Sequence, residues 1–268
     1  MLTVGIAGLG AIGMRVARGL DAGEIEGMRL AAVSAGDLER AQGRVADFVS
    51  PPLVVPATAL AEHADIVIEC APKPVFRELA EAALKAGRIF MPLSCGQMLE
   101  NTDLVDLARA TGGRILIPTG AIIGLDLIRA MAVGEIHSVT LETRKPPNGL
   151  AGAPHLIENA ISVEGLTEPK LVFSGNARQA AIGFPANVNV AAALSLAGVG
   201  PERTMVEVWA DPTIDRNMQT VRVVSDSGEA EMGVRNIPSA ENPRTGKITA
   251  LSVIACLQRM TAPLVAGT

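Results

Sequence analysis

Short, almost wholly apolar runs alternate with longer stretches of helical periodicity through the first part of the chain. Leu2–Ala7, Met28–Ser34, Ala64–Cys70, Arg88–Leu93 and Arg114–Ile117 have strand length and few polar residues, the pattern of parallel strands buried on both faces. Leu53–Val55 is a shorter candidate of the same kind. Between these runs, Met14–Leu20, Leu38–Phe48, Pro74–Gly87 and Asn101–Thr111 carry apolar residues at helical spacing, with Gly87 placed to cap its helix. Strand and helix in alternation predict a doubly wound parallel sheet with helices on both faces.

The rhythm breaks at Pro118-Thr-Gly-Ala-Ile-Ile-Gly-Leu-Asp126. Beyond it, Leu125–Val133 predicts a helix, Ser138–Arg144 a half-buried strand, and Lys145–Gly149 a turn. Arg178–Ile182 falls on a helix and Phe184–Val190 opens another. Thr204–Ala210, Thr220–Val224 and Glu229–Arg235 alternate over short connections, which predicts antiparallel strands, and Lys247–Leu264 predicts a final helix. The expectation is an α/β chain of two domains, a first over 1–120 and a smaller α/β domain with a mixed or antiparallel sheet over 121–245.

Composition narrows the class. With 268 residues, 49% of them hydrophobic, the chain can bury a sizeable core. A net charge of -5 and an aromatic content of 2% argue against nucleic acid as a partner. No apolar run reaches membrane-spanning length, and the first residues enter a strand rather than a signal peptide. The three cysteines, Cys70, Cys95 and Cys256, stand far apart, which fits a reducing cytoplasm. Neither they nor the three histidines, His63, His137 and His155, have metal-ligand spacing, so no metal is expected.

The first strand runs into Gly8-Leu-Gly10-Ala-Ile-Gly13, a G-x-G-x-x-G turn that opens a helix. In that setting Gly8 makes the tight turn, Gly10 admits a pyrophosphate to the backbone, and Gly13 lets the helix close on the strand. Gly8, Gly10, Ala11, Ile12 and Gly13 are thus candidate dinucleotide-binding residues of a Rossmann domain, with Ser34 and Ala71 at the ends of neighbouring strands. A domain selecting NAD carries an acidic residue at the end of its second strand. Here Ala35 holds that place and Asp37 lies two residues on. Asp37 reads better as the cap of the next helix, and Ser34 with Arg40 suits a 2′-phosphate, so NAD and NADP both remain open. Lys73 reads as a surface lysine and Cys95 as a buried, unreactive thiol.

Several downstream segments, taken with the glycine turn, resemble the L-aspartate dehydrogenase family. They are Pro118–Asp126, Thr143-Arg-Lys-Pro-Pro147, Phe184-Pro-Ala-Asn-Val-Asn-Val190, Ala210-Asp-Pro212 with Asn217, and Asn236-Ile-Pro-Ser239 with Glu241–Thr245. The resemblance implies a Rossmann domain, an α/β substrate domain, a C-terminal helix (246–268) packed back on the first domain, and a homodimer. It implies interconversion of L-aspartate and iminosuccinate with NAD(P), in some organisms feeding NAD biosynthesis. It places Ala121 and Asn187 at the nicotinamide, a reading that competes at Asn187 and Asn189 with helix capping. Arg144, Lys145, Asn189, Arg244, Thr245 and Lys247 become candidate partners of a small dicarboxylic substrate.

One position departs from that pattern. The family carries Asn-x-His after its Ala-Asp-Pro segment, and the histidine is its proposed catalytic residue. Here the stretch is Asn217-Met-Gln219, and an amide cannot take or give a proton near neutrality as an imidazole does. Gln219 is therefore expected to orient substrate or water. His155, after Gly152-Ala-Pro154, reads as an exposed loop histidine.

Overall fold

The computed structural model describes residues 1–185, 188–239, 242 and 246–267. Packing divides the chain into two units, Met1–Gly120 with Thr249–Val265, and Ala121–Ile248 with Ala266–Thr268.

In the first unit the chain runs β1 (Leu2–Ala7), α1 (Ala11–Asp21), β2 (Met28–Ser34), α2 (Leu38–Val45), β3 (Leu53–Val54), α3 (Leu60–His63), β4 (Ile66–Glu69), α4 (Phe76–Lys85), β5 (Ile89–Pro92), α5 (Asp103–Thr111) and β6 (Arg114–Ile115). All six strands pair in parallel, in the order β3-β2-β1-β4-β5-β6. The apolar runs serve two cores at once. Ile66 and Ile68 of β4 join Val4 and Ile6 under α1, whereas Val67 faces Leu79, Ala83 and Leu84 of α4. The helix Ile248–Thr261 adds Val253, Ile254 and Leu257 to the α1 side. Strand order reverses between β1 and β4, and ligands of such sheets bind beyond the carboxyl ends of the strands at that point. α1 starts at Ala11, three residues earlier than apolar periodicity indicates, because its first turn is built from the glycine segment itself.

The second unit runs α6 (Leu125–Met131), β7 (Ile136–Lys145), α7 (Pro154–Glu158), β8 (Lys170–Asn176), α8 (Ala177–Gly183), α9 (Asn189–Ala197), β9 (Thr204–Ala210), β10 (Met218–Ser225) and β11 (Gly228–Arg235). Its five strands lie in the order β11-β10-β7-β9-β8. Val139, Leu141, Val206, Val208, Val221 and Val223 line one face, covered by Ile128 of α6, Ala180 of α8 and Leu194 of α9. The sheet is mixed. β10 is antiparallel to β7 and β11, and β9 is antiparallel to β8, as expected, but β9 also pairs in parallel with β7. Alternation reports which face is buried and carries no information on the neighbour, and β7 inserts between β9 and β10. β8 has no clear signal in the sequence because a register shift between Leu171 and Phe173 breaks its period. Lys145 belongs to the end of β7 rather than to the turn after it. His155 is likewise on α7, not in a loop, with its ring 5.1 Å from Phe173 and 5.5 Å from Phe184.

Candidate active site

In the first unit the glycine turn has the shape a pyrophosphate needs. Gly8 has φ +94°, and a Cβ there would overlap the Cys70 carbonyl. A Cβ on Gly13 would overlap the carbonyl of Gly8. Both glycines are therefore demanded by the backbone itself. Gly10 is different: its φ is ordinary and, among the described residues, nothing lies within 4 Å of where a Cβ would stand. That open space lies at the N-terminus of α1, which no side chain caps, so the dipole end and first N–H groups face a place an anion can fill. The residues present thus fit a dinucleotide phosphate.

Neighbouring loops are tied to this turn. The Ser34 carbonyl accepts from Gly8 N at 2.7 Å, and the Ser34 side chain is buried. Asp37 accepts from Arg40 N at 2.9 Å as the cap of α2. Arg44 of α2 donates to the Leu9 carbonyl in the turn. Glu69, the last residue of β4, has no exposed surface. Its carboxylate accepts from Ala71 N at 2.9 Å, Ser94 N at 3.0 Å and Ser94 Oγ at 3.0 Å. Burial raises its pKa, against the pull of those donors. Glu69 thereby staples together the loops after β4 and β5. Glu69→Gln would turn an N–H2 toward at least one of these donors. We expect it to lower stability by about 1–3 kcal/mol and to weaken dinucleotide binding, read by urea unfolding and fluorescence titration. An unchanged midpoint and affinity would contradict the staple. Lys73 pairs with Glu100 at 2.8 Å in the open, and burial pushes the Cys70 thiol up and the Cys95 thiol up to about 12, so neither is a thiolate.

In the second unit, polar burial is concentrated at one end of the sheet. Thr143, Lys145, Asp211, Gln219 and Asn236 are all buried. They stand where β7 and β9 finish, β10 begins and β11 ends. Gln219 is opposite Thr143, and both belong to the series of inward residues that continues to Val221 and Leu141. Lys145 is two residues beyond Thr143 on the same face. The Gln219 Oε1 accepts from Asn236 Nδ2, which also donates to the Ala121 carbonyl at 3.2 Å. Asn236 Oδ1 is buried with no hydrogen-bond partner among the described residues, which marks a place short of one donor. On the opposite face Arg144 holds Glu142 at 2.6 Å and Asp211 at 3.3 Å and stacks 4.7 Å from the Trp209 ring.

A family model described as aspartate dehydrogenase, C-terminal, matches residues 126–260, and the NAD-binding domain model of homoserine dehydrogenase matches 8–118. An L-aspartate dehydrogenase of Bradyrhizobium diazoefficiens is 53% identical over the whole of this chain and 94% of its own length. The chain belongs to the L-aspartate dehydrogenase family. L-aspartate dehydrogenase 3 of Bordetella bronchiseptica is 52% identical, covering 100% of this chain and 98% of that one. Among solved structures, an aspartate dehydrogenase from Thermotoga maritima shares the fold, with a TM-score of 0.73 at 24% identity over 100% of both chains. As a family member the chain is an NAD(P)-dependent dehydrogenase with a nicotinamide-cofactor domain.

Set against these elements, the sequence-selected residues fall into two groups. Gly8, Gly10, Ala11, Ile12, Gly13, Ser34 and Ala71 cluster around the carboxyl ends of β1, β2 and β4 in the first unit. Ala121, Lys145 and Gln219 gather at the polar end of the second sheet. Asn189 is the exposed first residue of α9, whose N-cap is Val188, so it does not cap that helix with its side chain. Asn187, Arg244 and Thr245 lie outside the described residues. Sequence reasoning gave no role to Glu69 or Asn236. A charge closing an apolar strand was the only hint at the first. Among the described residues no three His, Cys, Asp or Glu side chains gather to hold a metal, and no helix is long and apolar enough to cross a membrane.

Proposed function

We propose that the protein oxidises the CH–NH2 group of L-aspartate to iminosuccinate, which water converts to oxaloacetate and ammonia, and that it runs the reverse. The buried polar end of the second sheet carries this reading: an apolar face that ends in Thr143, Lys145, Gln219 and Asn236 suits a small, charged, hydrogen-bonding substrate. The family supports it, through relatives named for that substrate.

When bound, the dinucleotide supplies the hydride acceptor. The glycine turn and α1 hold its pyrophosphate. The family resemblance supports contact of Ala121, whose carbonyl accepts from Asn236 Nδ2, and of Asn187 with the nicotinamide, and of Thr245 with the substrate. Gln219, pinned by Asn236, orients substrate and leaves proton transfer to another group. Asp37 is engaged as a helix cap and no acid stands at Ala35, so we propose that both NAD and NADP are accepted. A homodimer in the cytoplasm belongs to the same proposal.

The test is NAD(P)H oxidation with oxaloacetate, with and without ammonia. Ammonia-dependent turnover is the expected result. Equal turnover without ammonia would make the protein a reductase of keto acids. The neutral Gln219 favours a second reading, a dinucleotide-binding protein with little catalysis, which would show cofactor affinity and no turnover on any imino or keto acid.

A further inference from the structure

Gln219 leaves a chemical vacancy. Oxidising an amine requires that the substrate ammonium first lose a proton, since no lone pair is otherwise available to form the C=N bond. Neither Gln219 nor Asn236 nor Thr143 can take it. Among the described residues, Lys145 is the titratable side chain on the inward face at this end of the sheet. The nearby charges on β7 and after β9, Arg144 and Asp211, engage each other at 3.3 Å, and Arg144 is on the outward side. Asp211 also accepts from Thr213 Oγ1 at 2.6 Å, while its N–H bonds the Lys145 carbonyl at 2.8 Å. Among the described residues, the inward groups offered by β10 and by the residue after β11 include the neutral Gln219 and Asn236.

We propose that the Lys145 amine is the group that moves the proton at the substrate nitrogen, in place of the residue at position 219. The proposal rests on the aspartate reading above. Three observations bear on it. Lys145 is 8% exposed. Burial lowers its pKa from 10.5 to about 8, which makes the neutral amine available near physiological pH. Asn236 Oδ1, buried at the same end and unpartnered among the described residues, accepts an N–H and suits the nitrogen being deprotonated. In the step, one N–H bond of the substrate ammonium breaks and its proton bonds to neutral Nζ. The freed lone pair forms C=N as the Cα–H pair departs as hydride to the oxidised cofactor. The products are the iminium acid, the reduced cofactor and a Lys145 ammonium, which returns its proton to water.

The experiment compares wild type, Lys145→Met and Lys145→Arg in the full chain with NAD(P) bound. The arginine keeps the charge and cannot act as a base. Both variants should bind cofactor normally by fluorescence titration and lose kcat for aspartate by roughly 10²–10⁴-fold, with a much smaller change in KM. The wild-type kcat/KM profile should rise through a limb near 8 that both variants lack. Independently of turnover, the pH dependence of Lys145 acetylation by acetic anhydride, read peptide by peptide, should show a midpoint below that of the surface lysines. Lys145→Arg with near-normal kcat, or a Lys145 midpoint matching the surface lysines, would overturn the proposal while leaving the aspartate reading intact. A raised KM with unchanged kcat would make Lys145 a carboxylate anchor and overturn it too. Wild type without ammonia-dependent turnover would sink the aspartate reading itself, and the proposal with it.

Discussion

Gly10→Ala is expected to weaken dinucleotide binding by roughly a hundredfold, about 2.7 kcal/mol, with the melting temperature of the free protein nearly unchanged. The backbone at Gly10 has φ -69°, which alanine adopts freely, and among the described residues nothing within 4 Å would meet the new methyl group. What the methyl would meet is the incoming phosphate, because the space above Gly10 is where the backbone admits it. The two flanking glycines behave in the opposite way. At Gly8 and Gly13 a methyl overlaps a main-chain carbonyl, so Gly13→Ala should cost folding stability by about 1–3 kcal/mol before cofactor is added. Calorimetry with NAD and NADP, beside thermal melts without them, separates the effects. Gly10→Ala with full affinity would show that phosphate does not bind at this turn.

Lys145→Met should make the free protein more stable at pH 7, by about 1–3 kcal/mol, while removing the group on which we place proton transfer. Burial lowers the pKa of this amine from 10.5 to about 8. The folded state therefore holds the proton less tightly than the unfolded chain does. Between about 8 and 10.5 the unfolded state binds more protons, and stability rises with pH. The contribution of Lys145 is thus most favourable above 10.5 and is lost as pH falls through about 8. Methionine has a similar length and no charge to desolvate, so the advantage of the variant should shrink as pH climbs from 7 towards 10. Denaturant unfolding at several pH values tests this. A variant less stable than wild type at pH 7, with a gap independent of pH, would contradict the buried amine. A stabilising change that removes activity is what is expected where a site holds a charge for function at the expense of stability.

The first unit was legible in the sequence because parallel strands buried on both faces leave uninterrupted apolar runs, and β1, β2 and β4 do so. The glycine turn was legible for a stricter reason: Gly8 and Gly13 occupy places no side chain can. In the second unit the strands β7, β10 and β11 announced themselves by alternation, but the parallel pairing of β7 with β9 did not. Pairing is decided by which strands pack side by side, a property absent from any one strand's own period. The family resemblance picks out Lys145, but its burial was hidden by its context, since a lysine before two prolines reads as the start of a turn until β7 carries it inward. Asn236 and Gln219 are 17 residues apart and meet because β10 and β11 pair antiparallel and Asn236 follows the last paired residue. Glu69 was illegible for a related reason: its three donors come from Ala71 and Ser94, on two different loops.

The central claim is that a hydride leaves the Cα of L-aspartate for a nicotinamide cofactor on this chain. L-Aspartate carrying deuterium at Cα, incubated with the protein and NAD or NADP, tests it most directly, with mass spectrometry of the reduced cofactor as the readout. The account predicts one deuterium in each reduced cofactor and none in cofactor incubated without protein. Reduced cofactor free of deuterium, or no reduction by a protein that still binds the dinucleotide, would contradict it.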